Sequence, residues 1–224
     1  MNTNEIKIKA NKEHSNIPAM YKAVTVDNYE VLENADTVNK IKEYMKNITP
    51  DNAGGMLTLV GRVGTGKTHL VCAIGNELLE RGVSVLFLTA PQLLNEYIKR
   101  YSKQPRVFNN DNVGKYVIST WTDEVKVPAD LTRYASSYEL HDALCRLVDV
   151  LIIDDLGTEN GTEWAEAQID DIVNTRYSTG LTTIITTNTG KLPERAKSRM
   201  MGSAHYVLKG QDYRQILHKR HQTH

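Results

Sequence analysis

The stretch Gly61-Arg62-Val63-Gly64-Thr65-Gly66-Lys67-Thr68 constrains this chain more than any other. It fits the pattern G-x-x-x-x-G-K-[ST] and lies between an apolar run, Met56–Val60, and a segment of helical period over residues 66–81. Leu70, Val71, Ile74, Leu78 and Leu79 fall on one side of that helix, and Gly82 supplies its stop. A strand, a glycine-rich turn and a helix in this order aim successive main-chain N–H groups, and the positive end of the helix, at one point. Such a concavity suits phosphate. Lys67 is placed to reach β- and γ-phosphates, and the Thr68 hydroxyl to ligate Mg²⁺. The candidate binding residues are Gly61, Val63, Gly64, Thr65, Gly66, Lys67, Thr68 and His69.

The rest of the chain alternates strands with helices. Val83–Thr89 reads as a buried strand, and Pro91 opens a helix carrying Leu93, Leu94, Tyr97, Ile98 and Tyr101. Residues 137–147 predict a helix, Val150–Asp154 a strand, Thr162 to about Tyr177 a helix, and Thr182–Thr187 a β-branched strand. Leu192–Met201 predicts a short helix and His205–Leu208 a last strand, while Val38–Ile48 has the spacing of an amphipathic helix. Near-continuous apolar strands separated by helices imply an α/β fold with a parallel sheet covered on both faces. Residues 103–136 break the pattern, with a hairpin suggested by Tyr116–Trp121 and Glu124–Val127 around Thr122-Asp123. Residues 1–20 are polar, lysine-rich and without period, which predicts a flexible arm.

Composition narrows the function classes. Among 224 residues, 27 Lys+Arg balance 27 Asp+Glu, which argues against a globally basic nucleic-acid coat or a polybasic membrane binder and leaves a local patch open. The longest apolar stretch, Leu147–Ile153, is interrupted by Asp149, so no membrane span is expected. The N-terminus lacks the apolar core of a signal peptide. Cys72 and Cys145 have no metal-ligand spacing, and together these features predict reduced thiols in a cytoplasmic protein.

Further chemistry gathers at strand ends. Leu151-Ile152-Ile153-Asp154-Asp155 is an apolar strand ending in two carboxylates. Asp154 suits the Mg²⁺ shell and Asp155 the orientation of an attacking water. Asn188, at the end of Thr182–Thr187, either touches a γ-phosphate or simply forms the turn Asn188-Thr189-Gly190. Arg195 and Arg199 lie four apart on one helix face, as a phosphate-binding pair or as a solvated basic face.

In order and spacing, the phosphate loop, the LIIDDLG segment, the NTRYSTGLTTIITTN segment and the ERAKSRM helix resemble the AAA+ ATPases of the bacterial replicative-helicase loader family (DnaC/DnaI type), with IstB-type transposition ATPases as close relatives. The resemblance covers roughly residues 18–216. It implies a P-loop fold binding ATP and Mg²⁺, with ATP held between subunits of a ring or spiral. It also implies an arginine finger supplied in trans, and single-stranded DNA held near the helix after the second strand. On that pattern Asp155 is the catalytic acid, Asn188 the sensor, Arg199 the finger with Arg195 second, and Arg176 a further residue facing the neighbouring subunit. The DNA-contacting element matches helix 91–103, with Tyr97, Lys99, Arg100, Tyr101 and Lys103 mixing rings with cations. Tyr97 and Tyr101 also share a face with Leu93, Leu94 and Ile98, which fits core residues equally.

The chain departs from the family in four ways. Only about twenty residues precede the family region, whereas loaders usually carry a separate helicase-binding domain. Asp155 stands where many AAA+ proteins have Glu. Residues 103–136 are long, and no room remains for a full helical lid after the last strand, where Arg214 is the nearest substitute for the lid arginine. The expected organisation is an arm at 1–20, an ATPase domain at 21–216 with an insertion at 103–136, and a tail at 217–224. The function this implies is an ATP-dependent loader or remodeller acting on a replicative helicase. A transposition helper of the IstB kind, a nucleotide-gated adaptor or decoy without useful turnover, and a small-molecule kinase are the alternatives.

Overall fold

A computed structural model describes residues 3–29, 34–50, 55–101, 129–157, 162–188, 203–210 and 212. Five parallel strands form one sheet: β1 (Met56–Gly61), β2 (Val85–Thr89), β3 (Val150–Leu156), β4 (Thr182–Thr187) and β5 (Ala204–Leu208), in the order β2-β3-β4-β1-β5. Among the described residues six α-helices flank it: α1 (Thr3–His14), α2 (Ala35–Lys46), α3 (Lys67–Glu80), α4 (Ala90–Tyr101), α5 (Ser137–Arg146) and α6 (Glu163–Thr179).

Alternation along the strands divides the core in two. Leu57, Leu59, Ile152 and Ile184 turn toward Ile41, Leu70, Ile74 and Leu78 of α2 and α3. Leu86, Leu88, Leu151, Ile153 and Ile185 turn toward Leu93, Leu140, Leu144, Ile169 and Ile172 of α4, α5 and α6. Each such side chain, fully enclosed, contributes about 1.5–3 kcal/mol. The result is the three-layer α/β/α arrangement that continuous apolar strands require.

Local chemistry sets the helix ends. Thr89 and Gln92 exchange reciprocal side-chain to main-chain bonds at the start of α4. Ser136 and Glu139 form a capping box on α5, and the Thr162 hydroxyl accepts from Ala165 N–H on α6. Gly180, with φ 76°, closes α6 in the left-handed conformation that only glycine adopts freely.

Two expectations change. Residues 3–14, expected as an arm without regular structure, form α1, which packs on α3. Asn11 and Ile17 are buried, Lys12 pairs with Glu80, and the Ser15 carbonyl accepts from Phe87 N–H at 2.8 Å on the outer edge of β2. Burial of a few side chains, rather than periodicity, orders this segment, and Ser15 shields an edge strand. The end of the expected insertion also rejoins the fold, since Ala129 is buried and Arg100 grips the carbonyls of Leu131 and Tyr134. The hairpin expected around Thr122-Asp123 and the helix expected at 192–201 lie outside the described residues. Among the described residues no helix follows β5, and no helix is long and apolar enough to cross a membrane. Cys72 and Cys145 are buried free thiols, and burial pushes their pKa up to about 12 and about 11.

Candidate nucleotide site

The strand order decides where chemistry collects. From β1 the chain crosses to the far edge at β2, returns through β3 and β4, then passes β1 to reach β5. A crevice therefore opens at the carboxyl ends of β1, β4 and β3. β4 lies between the strand that carries the glycine-rich loop and the strand that carries the acids. That position sets Asn188 beside Lys67 and Thr186 beside Asp154.

The loop itself is shaped by Gly64 and Gly66, with φ 80° and 85°. A Cβ at Gly66 would stand 2.8 Å from the Tyr29 ring, so the position demands glycine for space as well as for φ. The Tyr29 hydroxyl donates to the Thr65 carbonyl at 2.8 Å and accepts from Asn34 at 3.2 Å. Asn34 in turn bonds both main-chain groups of Lys209, just after β5. The loop is thus braced from behind by two residues that loop-motif reasoning does not supply. The signal for Tyr29 in the sequence was its place at the end of the entry segment from Ile17-Pro18, one of the more specific parts of the family resemblance.

Lys67 is 5% exposed, and its ammonium donates to Gly61 O at 2.9 Å, Arg62 O at 3.0 Å and Asn188 Oδ1 at 3.0 Å. The Thr68 hydroxyl donates to Asp154 Oδ2 at 2.9 Å, and the Thr186 hydroxyl to Asp154 Oδ1 at 2.6 Å. Burial pushes the Asp154 carboxyl up, and the Asp155 charge adds to the rise against hydrogen bonds from Thr186 and Thr68. A hydroxyl and a carboxylate brought together in this way form the hard oxygen set that Mg²⁺ takes, so the donor chemistry fits that ion. Val63 is 62% exposed at the loop tip. His69 sits edge-on to the rings of Tyr21 and Tyr29, with Nε2 enclosed and no hydrogen-bond partner among the described residues. Burial lowers its pKa, which favours the neutral ring.

The structure thus brings the loop 61–68, Asp154, Asp155 and Asn188 together. Arg176, expected to face a neighbouring subunit, does not: it is 0% exposed. Its guanidinium donates to Leu144 O, Val148 O, Asp149 O, Thr182 O and Thr183 Oγ1, which ties α6 to the end of α5 and to the starts of β3 and β4. The DNA-facing set divides in a similar way. Tyr97 is 3% exposed, packs among core residues and shares a 2.8 Å bond with His141 Nδ1, so its ring cannot stack on a base in this conformation. Arg100 is held by Tyr134 O, Leu131 O and Glu96. Lys99 and Tyr101 reach solvent, Lys99 beside Glu96 at 2.7 Å. Lys103, Arg195, Arg199 and Arg214 lie outside the described residues.

Comparison with known proteins agrees with this geometry. The family profile for the IstB-like ATP binding protein matches residues 5–111. The replicative helicase loader DnaC of Escherichia coli (strain K12) is 27% identical over 212 residues, spanning 91% of this chain and 74% of that protein. A crystal structure of the DnaC helicase loader superposes with TM-score 0.60 at 22% identity, over 86% of this chain and 100% of that one. The chain is similar to proteins of the DnaC/IstB-type AAA+ family. The AAA+ fold recurs in the replication initiator DnaA bound to AMPPCP and single-stranded DNA, at TM-score 0.63 and 21% identity, over 88% of this chain and about half, 52%, of that one. In P-loop NTPases generally, the glycine-rich loop with its lysine cradles the phosphates, and its Ser/Thr with an acid at a strand end holds the metal.

Proposed function

We propose that this chain is an ATP-dependent loader or remodeller of a replicative helicase, hydrolysing ATP between neighbouring copies and contacting single-stranded DNA. The observation that carries the reading is one crevice in which Lys67 donates to Asn188 and the adjacent Thr68 donates to Asp154. The DnaC relatives, named as replicative helicase loaders, supply the partner class.

The chain's own residues suggest the order of events. Lys67 is saturated by two carbonyls and Asn188. An anionic phosphate oxygen is a stronger acceptor for an ammonium than a neutral amide. Lys67 therefore exchanges Asn188 for the triphosphate, and the released amide turns to the γ-phosphate or its attacking water. Thr68 and Asp154 would hold Mg²⁺, which supplies charge neutralisation at the phosphates. Asp155 orients the water and accepts its proton, and its side chain, one methylene shorter than Glu, makes turnover slow. Arg199 of a neighbouring copy, with Arg195 as second candidate, stabilises the transferring phosphoryl group. Lys99, Tyr101 and Lys103 contact the DNA strand.

The test is ATP binding and hydrolysis by wild type and Lys67→Ala, with and without single-stranded DNA. Binding that Lys67→Ala abolishes, and turnover that DNA stimulates, support the reading; equal binding by the variant defeats it. The match to the IstB-like profile favours a second reading, a transposition helper. Pull-down in a non-hydrolysable ATP analogue separates the two: a helicase in the eluate supports the loader, a transposase the helper.

A further inference from the structure

β3 and β4 do not pair evenly beside the site. Ile153 pairs with Ile185, but the next pair is Leu156 with Thr187. Two residues of β3, Asp154 and Asp155, thus stand opposite one residue of β4, Thr186. This is a β-bulge, and Asp155 carries its strain, with φ 55°. In an even strand, adjacent side chains point to opposite faces, and only one of two neighbouring acids would meet the crevice. The bulge breaks that alternation at the acids.

Thr186 fills the gap that the bulge leaves. Its hydroxyl accepts from Asp155 N–H at 2.9 Å. The same hydroxyl donates to Asp154 Oδ1 at 2.6 Å. Thr186 is 0% exposed, so water does not compete for either bond. One side chain thereby fixes the carboxylate of the first acid and the backbone of the second. Its neighbour Thr187 is spent differently, donating to Leu156 O at 2.8 Å beyond the bulge.

We propose that Thr186 is a positioning residue that sets the two acids in separate roles: Asp154 turned to Thr68 and the cation, Asp155 held in the left-handed backbone that aims it at the attacking water. The proposal rests on the reading of this crevice as a nucleotide site. Valine keeps the shape of Thr186 and removes both bonds, while serine keeps the hydroxyl.

The experiment compares wild type, Thr186→Val and Thr186→Ser by affinity for a fluorescent ATP analogue in EDTA and in Mg²⁺, and by steady-state hydrolysis. In EDTA the three bind alike, because the loop and Lys67 are untouched. In Mg²⁺, Thr186→Val loses most of the metal-dependent gain in affinity and about 10–100-fold in kcat, the range seen when a group supporting a metal ligand is removed. Thr186→Ser recovers both to within a few-fold. Should Thr186→Val not accumulate as folded protein, Thr186→Ala carries the same expectation. A valine variant with metal-dependent affinity and kcat within two-fold of wild type overturns the proposal, as does a serine variant that falls as far as valine. Failure of wild type itself to bind the analogue defeats the nucleotide reading instead, and this proposal with it.

Discussion

Replacing Arg176 is the perturbation whose size the structure defines best. A guanidinium has five N–H donors, and here each has an acceptor: Thr183 Oγ1 at 3.1 Å, Val148 O at 2.9 Å, Asp149 O at 3.1 Å, Thr182 O at 2.6 Å, and Leu144 O. Four of the acceptors are main-chain carbonyls, two of them at the exit of α5, where a helix has no internal donors left. Arg176→Met keeps the volume of the stem and leaves all four carbonyls without that donor. Each buried orphan costs about 1–3 kcal/mol. Against this, burial lowers the Arg176 pKa from 12.5 to about 10, a desolvation cost of about 3 kcal/mol that methionine does not carry. The balance is a net loss of about 1–9 kcal/mol, a span that contains the roughly 3–5 kcal/mol lost when a buried charged pair is broken. Urea unfolding followed by far-ultraviolet circular dichroism measures it, as a lower midpoint at unchanged slope. Arg176→Lys, with three donors on one point, falls between. A methionine variant within about 1 kcal/mol of wild type refutes the reasoning. So does a stable variant that loses ATP turnover and regains it when mixed with a hydrolysis-dead copy, since that returns Arg176 to a subunit interface.

Three further outcomes follow from the same geometry. Gly66→Ala places a methyl 2.8 Å from the Tyr29 ring at φ 85°, so ATP affinity falls at least ten-fold, measured by calorimetry, with a stability loss of about 1–3 kcal/mol. Asp154→Asn removes a charge that burial penalises, so the nucleotide-free protein melts higher while Mg²⁺-dependent hydrolysis disappears; thermal scans and a turnover assay check both halves. Tyr97→Phe breaks the bond to His141, lowers stability by about 1 kcal/mol and leaves single-stranded DNA binding unchanged, whereas Tyr101→Ala does the reverse in fluorescence anisotropy.

Much of the scaffold was legible because its signals are local. The apolar strand ending in Asp154-Asp155, the β-branched Thr182–Thr187 and the loop between Met56 and Thr68 each announce their element within a few residues, and each lies where expected. What the sequence hid depends on distant partners. Arg176 reads as a surface cation on a polar helix; only the meeting of α5, β3 and β4 around it makes burial tolerable. Tyr97 has helical spacing that suits a stacking face or a core face, and His141, 44 residues away, decides for the core. Residues 3–14 lack an apolar stripe, so periodicity missed α1, which is ordered by tertiary contacts. Thr186 was read only as a β-branched residue, since a one-residue bulge in its partner strand leaves no mark on the pattern of β4.

β4 shows why the buried arginine and the crevice belong to one design. Its first two residues, Thr182 and Thr183, are gripped by Arg176; Thr186 and Asn188 near its other end hold Asp154, Asp155 and Lys67. Thr183 and Thr186 are three residues apart, about 10 Å of extended chain. A strand so short, paired on both sides, moves as a unit, and a slip of one residue would exchange its faces and take the Thr186 hydroxyl out of the bulge. The strained backbone of Asp155 and the penalised charge of Asp154 are tolerable only where neighbours over-determine their geometry. Saturating five donors at the entry of β4 supplies that rigidity from the side of the sheet where no ligand has to enter. On the proposed reading, the register of this strand, rather than the loop motif alone, is what turns two adjacent carboxylates into a pair with different tasks.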